Sequence, residues 1–489
     1  MKARWIMGAA AAGLALAGCT TMPKEKPTAP PLPAQWSDLP TQSDAKSLID
    51  WWKGFNDPFL NHLVDEALRE GPNAQIAALR VQEARALSRA TLADFAPQLN
   101  VGARANYQRS EDGPPLVGSF QSFVTGGGGA NIVTEKEQMS GNYGPQISWE
   151  IPLFQRIEAA AKGSRANIAA AEADARGAQA TLAADVATAY VDYRAAQNRR
   201  LALIEAAQSA EQLATILETS AKAGITADAD AADARRLAES VKARTPQAEI
   251  EIRRAYGVLA LLRGRAPGVE TEAMVAQLNL NGPVPSYPLR TAPLAPAELL
   301  RARPDLAAAE ARALLAAADL GIARVDMLPR LSLTGTLGVA DNLIGSGLPE
   351  RLAQTEATAS LTAPLFAFGK LRANVKVRES RFQQALINYR ASVNQASAEA
   401  SGALLALNQG DAVLTAARAA EAAAQRTANG VRASFGVGIA SLADRLRADQ
   451  QLIDARLIRL DAEATQARAA IGVYRAFGGA PALSGKSRA

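Results

Sequence analysis

The chain has 489 residues, 48% hydrophobic and 21% charged, with a formal net charge of +5. No Lys/Arg tract is interleaved with aromatics, so nucleic-acid binding has no footprint. With one cysteine and one histidine, an intrachain disulfide, a His-containing metal cluster and a His-based triad are excluded. No Walker loop, HExxH or GxGxxG after a strand occurs, and neither an enzyme nor a metal site is expected.

At the N-terminus, Lys2 and Arg4 precede an apolar stretch from Trp5 to Ala17, the order of a signal peptide. The stretch falls short of the about 20 residues that span a bilayer. It ends in Leu16-Ala17-Gly18-Cys19, which resembles the lipobox of bacterial lipoproteins. That resemblance implies removal of residues 1–18 and attachment of diacylglycerol and an N-acyl chain at Cys19, with no other cofactor. Several acyl chains anchor firmly where one is marginal. Thr20, rather than aspartate, follows the cysteine, so onward export to the outer membrane is the expectation. Losing Lys2 and Arg4 lowers the formal charge from +5 to +3. Residues 19–60 read as a lipidated linker, and His62, at an apparent helix start, reads as a solvated structural residue.

Further on, four short segments alternate apolar and polar residues. In the first, over about 97–109, the apolar residues stand at odd numbers. The second, about 143–154, sets Ile147, Trp149, Ile151 and Leu153 against Gln146, Ser148 and Glu150. The third and fourth cover about 329–341 and 356–366. Alternation of this kind gives a strand one apolar and one polar face. The Gly-rich stretch from Ser110 to Gly141 reads as an outward loop.

The strands come in related pairs. Pro97-Gln98-Leu99 matches Pro329-Arg330-Leu331, and Pro152-Leu153-Phe154 matches Pro364-Leu365-Phe366. Helical runs follow each pair, with hairpins expected over about 156–265 and 369–478. Gly224-Ile225 in the first hairpin answers Gly438-Ile439 in the second. The chain is thus an internal duplication. The first repeat covers 61–277, a Pro-rich linker 278–296, the second repeat 297–480, and a tail 481–489. Lys370 to Phe435 lacks proline and corresponds to roughly 100 Å of helix. Leu442, Leu446, Ile453, Leu457, Leu460, Ala464, Ala467, Ile471 and Tyr474 keep a heptad rhythm, as do Leu386, Tyr389, Val393, Ala396, Ala400, Ala403 and Leu407.

Four strands cannot span a membrane alone, because open edges leave backbone groups unpaired in lipid. Two chains would make a tube plugged by side chains, and three would make about 12 strands with a lumen. Gln98, Asn100, Arg104, Gln146, Glu150, Ser332 and Thr334 are then expected to face the lumen, and Tyr107, Tyr143 and Trp149 the interfacial belt.

Several motifs together carry a family likeness. They are Trp51-Trp52-Lys53-Gly54-Phe55-Asn56-Asp57-Pro58, Leu261-Leu262-Arg263-Gly264-Arg265-Ala266-Pro267-Gly268, Arg303-Pro304-Asp305, Leu328-Pro329-Arg330-Leu331 and Tyr474-Arg475-Ala476-Phe477-Gly478-Gly479. Over nearly all of the mature chain the sequence resembles the TolC-like outer-membrane efflux proteins. Within them it is similar to the NodT-type lipoproteins of resistance-nodulation-division (RND) pumps. The resemblance implies a mainly α, mixed α/β membrane protein. It would be a homotrimer with a 12-stranded transmembrane barrel, four strands per chain, continuous with a periplasmic α-helical barrel. Its implied partners are a periplasmic adaptor (membrane fusion) protein, an inner-membrane RND transporter and outer-membrane lipid. It implies adaptor docking at Gly224, Ile225, Gly438 and Ile439, and a periplasmic gate at Asp230, Asp233 and Asp444. Arg447 stands where some relatives have a second aspartate, within reach of Asp444. Two competing readings are an exit channel for type I protein secretion and a non-conducting coiled-coil lipoprotein.

Overall fold

A computed structural model of the chain describes residues 22–37, 40–41, 48–109, 137–269, 276, 278, 280–287, 291–344 and 351–479. The signal segment 1–18, Cys19, residues 110–136 of the expected loop and the tail 481–489 lie outside the described residues. Among the described residues the chain is mainly helical, with one four-stranded antiparallel sheet. After a 3-10 turn at Trp51–Phe55 come α1 (Pro58–Glu70), α2 (Pro72–Ala93), β1 (Gln98–Arg109) and β2 (Glu137–Ile151). Then follow α3 (Arg156–Lys222), α4 (Asp228–Lys242) and α5 (Thr245–Leu262). The second copy runs α6 (Pro296–Ala302), α7 (Pro304–Val325), β3 (Arg330–Ile344), β4 (Arg351–Thr362), α8 (Lys370–Gly436) and α9 (Leu442–Ala476). Among the described residues no helix is long and apolar enough to cross a membrane.

The two copies have matched lengths. Helices α3 and α8 both have 67 residues, and α2 and α7 both have 22. Lys370 follows Arg156 by 214 positions, as Leu442 follows Asp228 and Ala476 follows Leu262. One difference breaks the symmetry. The return limb is continuous in α9 but interrupted at Ala243–Arg244 between α4 and α5, where Pro246 sits in the first turn of α5. Proline has no N–H to continue the preceding helix and disfavours helical backbone just before it.

Strand bounds also differ from the sequence expectation. β2 starts at Glu137 rather than about 143, and β4 covers 351–362 rather than 356–366. Pro152 and Pro364 end the pairing because they cannot donate to a ladder. The strand-to-helix joints shift the correspondence between copies. The left-handed pairs are Phe154-Gln155 and Phe368-Gly369, so Phe154 answers Phe368, not Phe366.

Two compact units can be distinguished. One holds Arg85–Asn167, Ala313–Gln384 and the segment ending at Lys26; the other holds Pro27–Ala84, Ile168–Arg312 and Ala385–Ala489. The second unit carries the large apolar core, in which Leu60, Leu63, Val64, Val186, Tyr190, Val393, Leu404, Ala467, Ile471, Tyr474 and Phe477 are buried. Alanines at heptad positions, such as Ala396, Ala400, Ala464 and Ala467, are buried to 2% or less, which lets helix backbones approach closely. An ionic ladder joins α3 to α9: Asp185 with Arg475 at 3.3 Å, Asp192 with Arg468 at 2.6 Å, Arg199 with Asp461, and Glu205 with Arg456 at 3.0 Å.

Four of the five family-like motifs lie in this second unit and clasp it, whereas Leu328-Pro329-Arg330-Leu331 lies in the first. Asp57 caps α1, accepting from Phe59 N at 2.9 Å and Leu60 N at 3.1 Å, and also accepts from the Tyr190 hydroxyl at 2.9 Å. Burial raises the Tyr190 phenol well above its ordinary value, so it stays a donor. Arg263, fully buried, donates to Glu66 at 2.8 Å, and Arg265 lies 2.7 Å from the same carboxylate. Arg303 binds Asp305, Glu399 and the Ala476 carbonyl at 2.7–2.8 Å.

Candidate functional site

The sheet is the first functional surface. Its strand order is β1-β2-β3-β4, all antiparallel, so among the described residues β1 and β4 are open edges. The register decides the faces. Leu99 stands opposite Ile147, Ile147 opposite Gly335, and Gly335 opposite Ala357; Ile151, Leu331 and Leu361 form another such row. On the other face Asn100, Gln146, Thr336 and Glu356 align, as do Ser148, Thr334 and Thr358. Glu150, Ser332 and Ser360 make a third polar row. Side chains on one face of a strand alternate with those on the other, so the sheet is amphipathic over its width.

Its apolar face is uncovered: Val101 is 83% exposed, and Leu99, Ile147, Leu337 and Leu361 are exposed too. A contiguous apolar surface of this kind marks a protein or membrane contact. Tyr107 and Tyr143 are exposed on it, whereas Trp149 is half-buried and donates to the Phe95 carbonyl at 2.8 Å. Glycines cross the sheet on the polar side. Gly102 stands opposite Gly144, and a Cβ at Gly144 would lie 2.3 Å from the Leu337 oxygen and 2.6 Å from Gly338 Cα. Glycines at such places let a sheet curve sharply. Alternation within one strand carries no signal of this row, which the pairing of separate strands assembles.

The helix–turn–helix tips are the second. At each, the glycine is left-handed, with φ +74° at Gly224 and +79° at Gly438. Ile225 N donates to the Ser220 carbonyl at 2.9 Å and Gly224 N to Ala221 at 2.8 Å; Ile439 and Gly438 repeat the pattern on Ser434 and Phe435. This is the Schellman cap, which requires only the glycine. The isoleucines lie outside that requirement: Ile225 is 77% and Ile439 82% exposed, and Val437 is exposed beside it.

Just past the turns, the acidic residues differ between copies. Asp444 belongs to a capping box: its carboxylate takes the Ser441 hydroxyl at 2.6 Å, and its N–H donates to Ser441 Oγ at 3.1 Å. Arg447 reaches the other carboxylate oxygen at 3.2 Å. These contacts, the Ser441 hydrogen bonds first, hold the Asp444 carboxyl below its usual range. Ala227 occupies the corresponding cap position before α4 and offers no side-chain bond. Asp230 therefore has no side-chain partner among the described residues, while Asp233 pairs with Arg236 at 3.4 Å. The Ser-x-x-Asp spacing of the cap was a legible signal for Ser441.

Each tip is braced across its hairpin. Arg235 of α4 bonds Glu218 at 2.7 Å and Glu211 at 2.5 Å on α3. In the second hairpin Arg432 of α8 bonds Asp449 of α9 at 2.8 Å. Positions 432 and 449 follow 218 and 235 by the repeat offset of 214, so the brace recurs with its charges exchanged. Arg445 also stacks over Phe435 at 5.1 Å.

His62 is exposed, and among the described residues no group of three His, Cys, Asp or Glu side chains is placed to hold a metal.

The comparisons with known proteins agree with this arrangement. The family model described as outer membrane efflux protein matches residues 63–265 and 295–479. The solvent efflux pump outer membrane protein SrpC of Pseudomonas putida is 29% identical over 488 residues, covering 96% of this chain and 97% of that protein. The probable outer membrane lipoprotein SilC of Salmonella typhimurium is 25% identical over 469 residues, covering 95% and 96%. The solved structure of the outer-membrane channel OprN superposes with a TM-score of 0.80 at 27% identity, over 94% of this chain and 99% of that one. With its duplicated hairpins, uncovered amphipathic sheet and nearly full-length likeness, the chain belongs to the outer membrane efflux protein family.

Proposed function

We propose that three copies form the outer-membrane duct of a tripartite RND-type pump, conducting small molecules passively outward. The observation that carries this reading is the four-stranded sheet with two open edges and one uncovered apolar face. Setting β4 of one copy beside β1 of the next leaves no edge, and repeating this three times yields 12 strands with the polar rows inside. Cys19 carries the lipid that anchors each copy. The exposed Ile225, Val437 and Ile439 receive the periplasmic adaptor, and an inner-membrane RND transporter supplies the energy. The channel carries out no chemistry of its own.

The gate is formed at the tips by Asp230, Asp233, Asp444 and Arg447, with Asp230 the least restrained. Single-channel recording of the purified protein in planar bilayers, with the mass of the solubilised complex, tests the reading. A trimer of small conductance is expected. Asp230→Ala should raise conductance several-fold, and Asp444→Ala should raise it less, because Ser441 and Arg447 already hold that carboxylate. A monomer, or a trimer silent even when both aspartates are replaced, would favour a non-conducting scaffold.

A further inference from the structure

The segment Met22–Lys26 is seated on the sheet-bearing unit. A Cβ on Gly321 of α7 would meet Met22 Cγ at 3.1 Å and the Ala159 methyl at 3.6 Å, so the glycine makes the notch in which Met22 lies. Three residues on, Glu25 accepts a hydrogen bond from Gln383 Nε2 of α8 at 3.0 Å.

Gln383 identifies one face of α8. It follows Lys376 by seven residues and Arg372 by eleven, spacings that stack all three on the same side of a helix. Arg372 and Lys376 are exposed and have no ion pair among the described residues, unlike Arg378, which binds Asp319 at 3.0 Å. Glu379 stands on this side as well and pairs with neither. The exposed Lys24 of the docked segment adds to the positive surplus.

Immediately before the helix, Leu365, Phe366 and Phe368 are 96%, 77% and 89% exposed, and the two rings meet edge-on at 4.5 Å. They follow Leu361 of the uncovered apolar sheet face within a few residues. An apolar surface thus gives way to aromatic rings and then to unpaired cations, the order of a membrane boundary.

We infer that this face of α8 docks the headgroups of anionic phospholipid in the periplasmic leaflet. The rings rest at the acyl boundary, and Arg372 and Lys376 take the phosphates. Distances along the helix agree: Arg372 and Lys376 lie about 3 and 9 Å beyond its start, and a headgroup layer is about 5–8 Å deep. Cys19 is six residues before Glu25, about 20 Å of extended chain at most. Arg372 is about 16 Å along α8 from Gln383, a span within the maximum length of that tether. The inference rests on the proposed reading that Cys19 is acylated and the sheet spans the outer membrane.

The test uses the full-length acylated protein, stripped of lipid in a neutral detergent and titrated with phosphatidylglycerol or phosphatidylcholine under native mass spectrometry. Phosphatidylglycerol should bind preferentially. Arg372→Gln with Lys376→Gln should weaken it by about thirty-fold, at about a factor of five per basic side chain, and leave phosphatidylcholine unchanged. Lys370→Gln with Arg381→Gln, on the other flank of α8, should change phosphatidylglycerol binding less than about twofold. Equal loss in both double variants, or none in the first, overturns the inference. Dissociation of the Arg372/Lys376 variant into monomers overturns it in favour of a second copy covering this face. The same spectra weigh the acyl group and count the subunits, so an unacylated or monomeric wild-type protein refutes the underlying reading separately.

Discussion

Arg263→Ala should destabilise the helical unit by about 3–5 kcal/mol, the range for removing one partner of a buried ion pair. Arg263 is 1% and Glu66 8% exposed in their side chains. Without the guanidinium, the Glu66 carboxylate stays buried with only the partly exposed Arg265 at 2.7 Å. Melting followed by helical circular dichroism reads the effect, and a variant that melts with the wild type would show that the pair contributes nothing. Replacing Arg263 and Glu66 together by methionine should recover most of the loss, because no charge is then left without its partner. The pair also has a pH signature. Burial pushes the Glu66 carboxyl up, but the Arg263 and Arg265 guanidiniums outweigh burial and hold it below its usual range. A carboxyl depressed in the folded state stabilises above its unfolded pKa, about 4.3, and that contribution disappears as pH falls through the lower folded value. The double methionine variant should lose this acid-side slope.

The other large effect is expected in the sheet. Gly144→Val should prevent β2 from pairing with β3, since its Cβ would stand 2.3 Å from a backbone oxygen and 2.6 Å from a backbone carbon. Neither atom belongs to a flexible side chain, so the strands themselves must part. The expected result is loss of heat-modifiable mobility and of protein from the outer-membrane fraction. Gly402→Ala is the control: it lies in α8 with nothing within 4 Å of the added Cβ, and helix propensity favours alanine by about 1 kcal/mol. Normal assembly of Gly144→Val would mean that the sheet relaxes around this site.

Much of the fold was legible because alternation and heptad rhythm are local. Both sheet faces followed from odd and even positions, and the hairpin seams from leucine and alanine spacing. The start of β2 was hidden where Gly141 and Gly144 interrupt the alternation and the register shifts between Met139 and Ser140. The joints misled for another reason: Pro-Leu-Phe occurs in both copies, but the chain turns at the left-handed pair, which in the first copy uses Gln155 instead of glycine. Of the candidate site, the tip glycines and aspartates could be placed by repeat and motif. Their unequal restraint depends on Ala227 against Ser441. The Glu66–Arg263 pair joins residues 197 apart, a distance that no local pattern encodes.

The exchanged charges of the two tip braces bear on how a duplicated chain finds its own partners. Every limb of one hairpin has a near-twin in the other, equal in length and similar in apolar spacing, so crossed pairing is the obvious folding error. If at the tip brace α9 took the place of α4 against α3, Glu218 would face Asp449; if α4 took the place of α9 against α8, Arg432 would face Arg235. Both mispairings set like charges together where the proper partners attract. The inversion labels each hairpin as distinct, so two nearly interchangeable halves of one polypeptide are sorted as they fold.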